Sequence, residues 1–507
     1  MISRLYSATV IGVDGIEVEV EVDARSSPER KITIVGLPDT AVRESSQRVD
    51  SAILNSGFPP LLGNIVVNLA PADLKKQGPG FDLPIALGML ACSTEKIISS
   101  DSWCILGELA LDGNVRPIQG VLPQAIEAKA QGRKKIIIPE ANAAEAAAIG
   151  GIEVYPVSCL KEAWELLSGV EQLPLQSPET SSDFGSFDID FDEIKGQPYA
   201  RRAMEIAAAG AHNVLLSGSP GSGKSMLAQR LPTILPLLTK DESLETSKIH
   251  SVCGLIKREE GLVFRRPFRA PHHTISDVGL MGGGTSISPG EVSLAHHGIL
   301  FLDELPEFRR QTLETLRQPL EAGNVVISRA SGTMTFPCRF MLIAAMNPCP
   351  CGYLGDPRRA CNCTPAQIAR YRRKISGPLL DRFDIIMEVP PVDTHALIHS
   401  PSGEPSASIR ERVLSAREKQ TSRYEGTKFL TNASLSGKSL REFCRPSPSS
   451  INILHQAVDQ LNLSARAFDR ILKVSRTIAD LTACPDIEDS HIYEAVQMRA
   501  FETQLRI

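Results

Sequence analysis

Residues 218–225 of this 507-residue chain read Gly218-Ser219-Pro220-Gly221-Ser222-Gly223-Lys224-Ser225. An apolar run at 213–217 predicts a buried strand before this stretch, and a helical pattern at 226–231 follows it. The pattern G-x-x-x-x-G-K-[ST] between a strand and a helix is a P-loop, whose glycines let backbone N–H groups point at phosphate oxygens. We therefore expect ATP binding, with Lys224 on the β- and γ-phosphates and Ser225 on Mg²⁺.

Further polar residues follow predicted strands downstream of the P-loop. Asp303 and Glu304 end the apolar run 298–302, and Asn347 ends the run 340–346. In a P-loop ATPase we expect the first acid to hold the Mg²⁺ shell and the second to act as general base on the attacking water. Asn347 is placed to hydrogen-bond that water or the γ-phosphate. The pattern thus predicts hydrolysis as well as binding.

Gln197 follows Gly196 near the predicted start of the motor, where such a turn often lies beside the adenine. We expect Gln197 to contact the nucleotide base. Further along, His272-His273 suggests a metal site, but no second ligand pair is spaced to help, so histidines satisfied by local hydrogen bonds are the favoured interpretation.

Two arginines beyond these motifs are candidates for catalytic roles. Arg382 lies in the segment 376–384, where ring ATPases place an arginine finger that reaches a neighbouring subunit's γ-phosphate. This interpretation predicts an oligomer, and the alternative is an intrachain pair of Arg382 with Asp381 or Asp384. Arg466 begins a predicted helix, where it is placed to sense the γ-phosphate.

A predicted hairpin over residues 324–336 precedes the strand that delivers Asn347. Helicase-type rings insert such a hairpin into their pore, and Arg329 at its tip is placed to contact a DNA phosphate. The alternative, that Arg329 is an ordinary solvated arginine without a DNA contact, has equal weight. The net charge of −5 argues against a generally basic surface but allows a local basic region.

Four cysteines follow Asn347 in the arrangement C-x-C-x9-C-x-C: Cys349, Cys351, Cys361 and Cys363. Four thiolates in a short loop suit tetrahedral Zn²⁺, and reduced free thiols are the alternative. The eleven cysteines are an odd number, and the N-terminus lacks a signal-peptide pattern. We therefore expect a cytoplasmic protein with reduced thiols and no membrane association.

The chain divides into four predicted regions. Residues 1–170 alternate strands and helices and predict an α/β domain, and residues 171–190 read as a linker. The ATPase core is predicted over 191–395, with the four-cysteine loop at 349–363, and a helical lid over 396–507. Helices are expected at about 40–56, 82–92, 120–131 and 160–168, and in the lid at 409–423, 450–462, 464–482 and 488–504.

The N-terminal region resembles the domain that precedes the motor in YifB/ComM proteins, which is similar in fold to the proteolytic domain of Lon proteases. Three stretches carry the likeness: Asn68–Leu87, Gly113–Gly120 and Ile136–Asn142. Lon-type proteolysis needs a serine nucleophile and a lysine base. Gly80 and Leu122 stand at those two places, so we expect a scaffold or binding domain without peptidase activity.

The lysines near these two places are Lys75, Lys76 and Lys129. We expect all three to be solvated surface charges.

The whole chain resembles the YifB/ComM family of magnesium-chelatase-like AAA+ ATPases. The motifs on which this resemblance rests are Gly218–Ser225, Leu302–Glu304, Asn347–Gly352 and Gly377–Arg382. The resemblance implies an AAA+ P-loop motor that forms a homo-hexameric ring, uses ATP and Mg²⁺, and acts on branched or single-stranded DNA. It further implies a branch-migration helicase that serves natural transformation.

Two other functions remain open at this stage. A chelatase-type motor would drive metal insertion into a tetrapyrrole, but this chain carries no integrin-like adhesion domain. A protein-remodelling motor would be stimulated by unfolded protein rather than by DNA.

Overall fold

The computed structural model describes residues 2–25, 27, 31–61, 63–94, 96–170, 172–175, 187–257, 260–284, 287–329, 332–391, 403–461 and 463–505. The chain forms two compact units, the first with residues 1–183 and 239–264 and the second with 184–238 and 265–507. The predicted linker, 171–190, lies in large part outside the described residues. Among the helices that are described, none is long and apolar enough to cross a bilayer.

The described strands of the first unit form a four-stranded sheet, a three-stranded sheet and a short pair. They are β1 (Ile2–Ile11), β2 (Asp14–Arg25), β3 (Lys31–Val35), β4 (Asn64–Ala70), β5 (Trp103–Ile105), β6 (Glu108–Leu109), β7 (Val115–Arg116), β8 (Lys135–Pro139) and β9 (Glu153–Val157). The larger sheet has the order β1-β2-β4-β3, and β5-β8-β9 form a parallel sheet. β2 alternates apolar and acidic residues, which buries Val18, Val20 and Val22 on one face. Strands β6 and β7 form a short antiparallel pair.

The helices of the first unit are Thr40–Asn55, Asp82–Ser93, Val121–Ala130, Ala143–Ala147, Leu160–Leu167 and Lys240–Val252. The last of these packs against Val121–Ala130, where Gly120 N donates to Ser251 O at 3.0 Å. The predicted ATPase core of residues 191–395 includes this segment, whereas the structure groups residues 239–264 with the first unit. Residues 239–264 thus interrupt the second unit in sequence, between its parts 184–238 and 265–507. A local sequence pattern does not predict such an assignment, because it depends on long-range contacts.

One lysine of the first unit contradicts the sequence-based expectation. Lys76 is fully buried, and its ammonium group donates to Pro71 O, so it is not a solvated surface charge. Burial lowers the pKa of Lys76 from its ordinary value. Lys75 and Lys129 are exposed as expected, and Leu122, at the place of the Lon base, is buried.

The second unit centres on a five-stranded parallel sheet, whose strands are β10 (Val214–Ser217), β11 (Phe268–Arg269), β14 (Ile299–Leu302), β17 (Met341–Met346) and β18 (Ile385–Glu388). Their order in the sheet is β11-β14-β17-β10-β18. β10, β14 and β17 are buried along their whole length, as expected of parallel strands covered on both faces. The order places the ends of β14, β17 and β10 side by side, and this edge carries the predicted motifs.

Two antiparallel pairs lie outside the central sheet: β12 (Gly282–Gly283) with β13 (Ser288–Pro289), and β15 (Asn324–Arg329) with β16 (Gly332–Pro337). The helices before residue 392 are Pro198–Gly210, Lys224–Arg230, Asp277–Met281, Glu291–Leu294, Arg310–Thr315, Arg317–Ala322, Pro365–Arg372 and Gly377–Leu380. The mixed α/β fold with a parallel sheet agrees with the predicted fold class.

The C-terminal region is helical, with helices Ser406–Arg423, Lys438–Phe443, Pro448–Gln460, Ala465–Leu481, Asp489–Gln497 and Glu502–Leu505. Its apolar faces join the core of the second unit, where Val413, Ile478 and Met204 belong to one buried cluster. The short helix Lys438–Phe443 was not predicted. Its low apolar content and single turn and a half give little periodic signal.

A buried charge cluster connects the helix Ala465–Leu481 to the central sheet. Asp384 is 1 % exposed, and its carboxylate accepts from Arg470 Nη1 at 2.6 Å and from Asn213 N at 3.1 Å. His212 Nδ1 lies 3.3 Å from the same carboxylate. Although burial by itself raises the pKa of Asp384, Arg470 and His212 hold that pKa well below its usual range.

We expect Asp384→Asn to destabilise the second unit by about 3 kcal/mol, because the buried Arg470 guanidinium loses its counter-charge. Calorimetry at neutral pH should show a lower Tm for the variant. Because the folded-state pKa of Asp384 is depressed, its stabilisation is present above the unfolded-state pKa of about 3.9 and disappears as the pH falls below it. Asp469→Asn, an exposed acid on the same helix, is the control, and equal Tm values for both variants would contradict the account.

Candidate ATP-hydrolysis site

The polar residues predicted for catalysis gather at one edge of the central sheet. The P-loop follows β10, Asn347 follows β17, and Asp303 and Glu304 follow β14. Because β17 lies between β14 and β10, Asn347 stands between the other two motifs. Carboxyl ends of parallel strands are the usual ligand position in open α/β sheets.

The P-loop backbone requires glycine at specific positions. Gly221 and Gly223 adopt φ values of 77° and 85°, in the left-handed region that favours glycine. At Gly218 a Cβ atom would fall 2.3 Å from Val389 O, so no side chain fits there. These three glycines allow the loop to curl between β10 and the helix Lys224–Arg230.

Lys224 points back into the loop that it follows. Its Nζ donates to Gly218 O at 2.8 Å and to Ser219 O at 3.0 Å, and it lies 3.4 Å from Asn347 Oδ1. Burial lowers the pKa of Lys224 from its ordinary value, and the charge of Asp303 opposes this shift. The ammonium group of Lys224 is thus hydrogen-bonded to carbonyl oxygens of the loop that binds phosphate in P-loop proteins, and phosphate oxygens can replace these partners.

Ser225 and Asp303 form the second element of the site. Ser225 Oγ donates to Asp303 Oδ2 at 2.7 Å. A hydroxyl and a carboxylate at this separation are the oxygen ligands that Mg²⁺ takes from a P-loop protein. The residues present therefore fit the cation that the motif implies.

Glu304 has a partner that the sequence did not reveal. Its Oε2 lies 3.2 Å from His273 Nδ1, within hydrogen-bonding distance. Glu304 also adopts a φ of 51°, a left-handed conformation uncommon for residues other than glycine and frequent at functional sites. His273 is therefore a candidate for orienting the general base. The neighbouring His272 Nδ1 lies 2.9 Å from Thr274 Oγ1, a local contact of the kind expected from the sequence.

Gln197 contacts the P-loop. Its Nε2 donates to Ser222 O at 2.6 Å and to Pro390 O at 3.1 Å. The side chain thus braces the loop from the turn that precedes the helix Pro198–Gly210. Its predicted contact with the nucleotide base stays a prediction.

The two candidate arginines each contact a carboxylate of the same chain. Arg382 Nη2 pairs with Glu321 Oε2 at 2.6 Å, and Arg466 Nη1 lies 3.3 Å from Asp381 Oδ2. The described partner of Arg382 is thus an intrachain carboxylate, Glu321, while Asp381 contacts Arg466 and Asp384 contacts Arg470. The roles of Arg382 and Arg466 in catalysis stay predictions.

The hairpin β15–β16 has the predicted form. Arg329 is exposed and pairs in register with Gly332 at its end, where the two intervening residues lie outside the described range. Val326 on the same hairpin is 46 % exposed, so the hairpin presents both an apolar and a cationic side chain to solvent. DNA contact by Arg329 stays a prediction.

The four cysteines of the loop after β17 converge on one point. The Sγ atoms of Cys349 and Cys351 are 3.4 Å apart, and both lie 3.6 Å from Cys361 Sγ. With Cys363, all four sulfur atoms lie within 4.8 Å of one another, and none forms a disulfide. The backbone N–H of Cys363 donates to Cys361 Sγ at 3.4 Å.

Sequence comparisons agree with this architecture. Residues 190–397 match the family model for magnesium chelatase, subunit ChlI. Residues 18–142 match the model for subunit ChlI of Mg-chelatase, and residues 403–499 match the model for the ChlI C-terminal region.

Relatives align along nearly the whole chain. It is 45% identical over 507 residues to the competence protein ComM of Haemophilus influenzae, covering 98% of this chain and 97% of that protein. It is 41% identical over 507 residues to the uncharacterized protein YifB of Escherichia coli, covering 99% and 98%. Lon protease 2 of Bacillus subtilis is 29% identical over 153 residues, 30% of this chain and 26% of that protein. The chain therefore belongs to the ComM/YifB family of magnesium-chelatase-like AAA+ ATPases.

Proposed function

We propose that this protein is a ring-forming ATP hydrolase that remodels DNA, acting in the cytoplasm as a branch-migration helicase in the recombination of incoming DNA during natural transformation. The observation that carries the ATPase part is the meeting of Lys224, Asp303, Glu304 and Asn347 at the ends of three adjacent strands. The similarity to the competence protein ComM supports the link with transformation.

In the proposed reaction each residue has a distinct task. Lys224 exchanges its bonds to the carbonyls of Gly218 and Ser219 for bonds to phosphate oxygens. Ser225 and Asp303 hold Mg²⁺, which offsets the negative charge of the phosphates. Glu304 accepts a proton from the attacking water, and Asn347 orients that water or the γ-phosphate.

We propose a hexameric ring in which each ATP site is completed by a neighbouring protomer, as in other ring ATPases. Arg382 supplies a positive charge to the γ-phosphate from the adjacent protomer as an arginine finger. To do so it leaves Glu321, whose side chain is 69% exposed. An ion pair with so exposed a partner contributes at most about 1 kcal/mol, so release is inexpensive.

A basic surface near the four-cysteine loop supports DNA as the substrate. The helix Pro365–Arg372 and its surroundings line an open cavity of about 490 Å³ whose walls are Arg310, Ala366, Ala369, Arg370, Arg373 and Lys374. Arg310, Arg370 and Arg373 are exposed. A cluster of arginines that surrounds an open groove attracts a phosphate backbone independently of base sequence.

The hairpin β15–β16 is the second DNA element of the proposal. Its exposed Arg329 is placed to contact a phosphate at the end of the hairpin. Val326, an exposed apolar residue of the same strand, adds an apolar surface to the hairpin.

DNA-stimulated ATP hydrolysis tests this proposal. We expect single-stranded or branched DNA to raise the hydrolysis rate, and Arg370→Ala combined with Arg373→Ala to weaken DNA binding. Because each phosphate contact releases counterions, the double variant should reduce the slope of log affinity against log salt by about two. DNA-independent hydrolysis should be unchanged.

Arg441→Ala combined with Arg445→Ala is the matched control, since it removes the same charge from two exposed arginines of the C-terminal region. Equal salt slopes for the two double variants would contradict the groove assignment. A hydrolysis rate indifferent to every DNA would contradict the DNA proposal and favour a chelatase-type or protein-remodelling motor.

A further inference from the structure

The distances among the four cysteines are those of a metal site. A disulfide holds its sulfur atoms about 2.05 Å apart, whereas tetrahedral ligation with Zn–S bonds of about 2.3 Å separates them by about 3.8 Å. The observed separations of 3.4 to 3.6 Å among Cys349, Cys351 and Cys361 fall close to the second value.

The ligand chemistry selects the metal class. Four thiolates are soft ligands that favour zinc over the hard Mg²⁺ of the ATP site. A set of four protein ligands leaves no open position, which is the pattern of a structural site rather than a catalytic one. Cys349 is fully buried, while the other three are partly exposed, so a metal ion can enter from the solvent side.

The four-cysteine loop also packs directly on the P-loop. Gly352 has a φ of 85°, and a Cβ atom built on it would fall 2.7 Å from both Cδ and Cγ of Pro220. The backbone of Gly352 therefore rests against the ring of Pro220 in the middle of the P-loop. The same Cβ atom would lie 3.8 Å from Asn347 Cγ, so Gly352 also adjoins the residue that contacts Lys224.

Further hydrogen bonds fix the conformation of the four-cysteine loop. Arg372 Nε donates to Pro348 O at 3.3 Å, which fixes the start of the loop to the helix Pro365–Arg372. Within the loop, the backbone N–H of Arg358 donates to Asp356 Oδ1 at 2.8 Å.

We propose that the four cysteines bind one zinc ion and that this metal site supports the P-loop, so that loss of zinc weakens nucleotide binding. The coupling between zinc binding and nucleotide binding rests on the proposed ATP site, whereas zinc binding by the four cysteines does not depend on that site. In a loop with so few apolar side chains, metal binding supplies the folding free energy. Release of the metal frees Gly352 from its position and removes the wall against which Pro220 packs.

Zinc removal from the full chain tests the coupling. We expect about one zinc ion per chain in protein purified without chelator. A zinc-selective chelator, with Mg²⁺ kept in excess, should weaken the binding of a fluorescent ADP analogue about tenfold, and added Zn²⁺ should restore it. Absence of stoichiometric zinc would overturn the metal site.

Equal nucleotide affinity with and without zinc would overturn the coupling while leaving the ATP site intact. Failure of zinc-loaded protein to bind any nucleotide would overturn both the coupling and the proposed ATP site. The two failures are thereby distinguishable.

Two pairs of variants separate metal loss from misfolding. Cys361→Ser should lose zinc and nucleotide affinity together, whereas Cys159→Ser, a partly buried cysteine of the first unit, should keep both. Gly352→Ala should keep zinc yet weaken nucleotide binding, because its Cβ collides with Pro220.

Gly355→Ala is the matched control for Gly352→Ala. Its φ of 81° imposes the same backbone strain, but its Cβ would meet only Glu388 Oε1 at 3.8 Å, an ordinary contact. Equal nucleotide affinity for the two alanine variants would contradict the proposed support of the P-loop.

Discussion

Glu304→Gln should lower ATP turnover about a thousandfold while leaving nucleotide binding nearly unchanged. Glutamine keeps the size of the side chain and its hydrogen bonding, but it cannot accept the proton of the attacking water, and a positioned general base contributes about 10²–10⁴ in rate. Steady-state phosphate release and equilibrium binding of an ATP analogue give the two numbers separately.

Glu307→Gln is the control for loss of charge at this place. Glu307 closes the short turn Leu305–Glu307 that follows Glu304, and its carboxylate pairs with Lys374 at 3.3 Å. We expect its turnover to stay near that of the unchanged protein. A Glu304→Gln variant that hydrolyses ATP within tenfold of the unchanged protein would show that another group is the base.

The second large effect is expected at Arg382. Arg382→Ala should reduce turnover by at least about a thousandfold with little change in nucleotide affinity, because an arginine finger acts on the charge that develops in the transition state. Glu321→Ala removes the partner of Arg382 and should not reduce turnover, since it only releases the guanidinium.

A mixing experiment tests whether Arg382 acts in trans. Arg382→Ala and Lys224→Ala should each be inactive alone. In mixed rings, an intact Lys224 site can face the intact Arg382 of a Lys224→Ala neighbour, so part of the activity should return. No recovery on mixing, or normal turnover by Arg382→Ala alone, would contradict the trans assignment.

The segment that carries Arg382 is fixed to a helix of the C-terminal region. The fixing contact is the buried pair of Asp384 with Arg470 of the helix Ala465–Leu481 at 2.6 Å, while the exposed Arg466 of the same helix lies 3.3 Å from Asp381. Arg382 therefore stands on a supported turn, and a supported turn is what a finger that must reach another subunit requires.

Motif spacing and periodicity predicted the parts of the fold that local sequence determines. Apolar runs predicted the strand before the P-loop and the strand before Asp303, and a 3.6-residue apolar period predicted the helix at 464–482. The resemblance to the YifB/ComM family and the fold class are confirmed by the family matches and by the relatives. That the polar ends of these strands meet at one edge follows from the parallel pairing of β14, β17 and β10, which the structure shows.

Pairings between distant residues could not be predicted in this way. Lys76 looked like a surface charge because its neighbours are polar, yet the fold buries it. His273 lies beside Glu304 only because the chain returns to the sheet edge after residues 239–264, which themselves belong to the first unit. The sequence predicts Arg466 as a γ-phosphate sensor from its place at the start of a helix. Its observed partner, Asp381, lies 85 positions earlier in the chain and is brought to it by tertiary packing.

ATP-driven movement of a synthetic four-way DNA junction is the decisive measurement of the proposed function, with Glu304→Gln as the inactive control. We expect the unchanged protein to move the branch point in the presence of ATP and Mg²⁺, and Glu304→Gln to bind the junction without moving it. A protein that hydrolyses ATP at the same rate with and without the junction, and leaves the branch point in place, would contradict the proposed DNA remodelling.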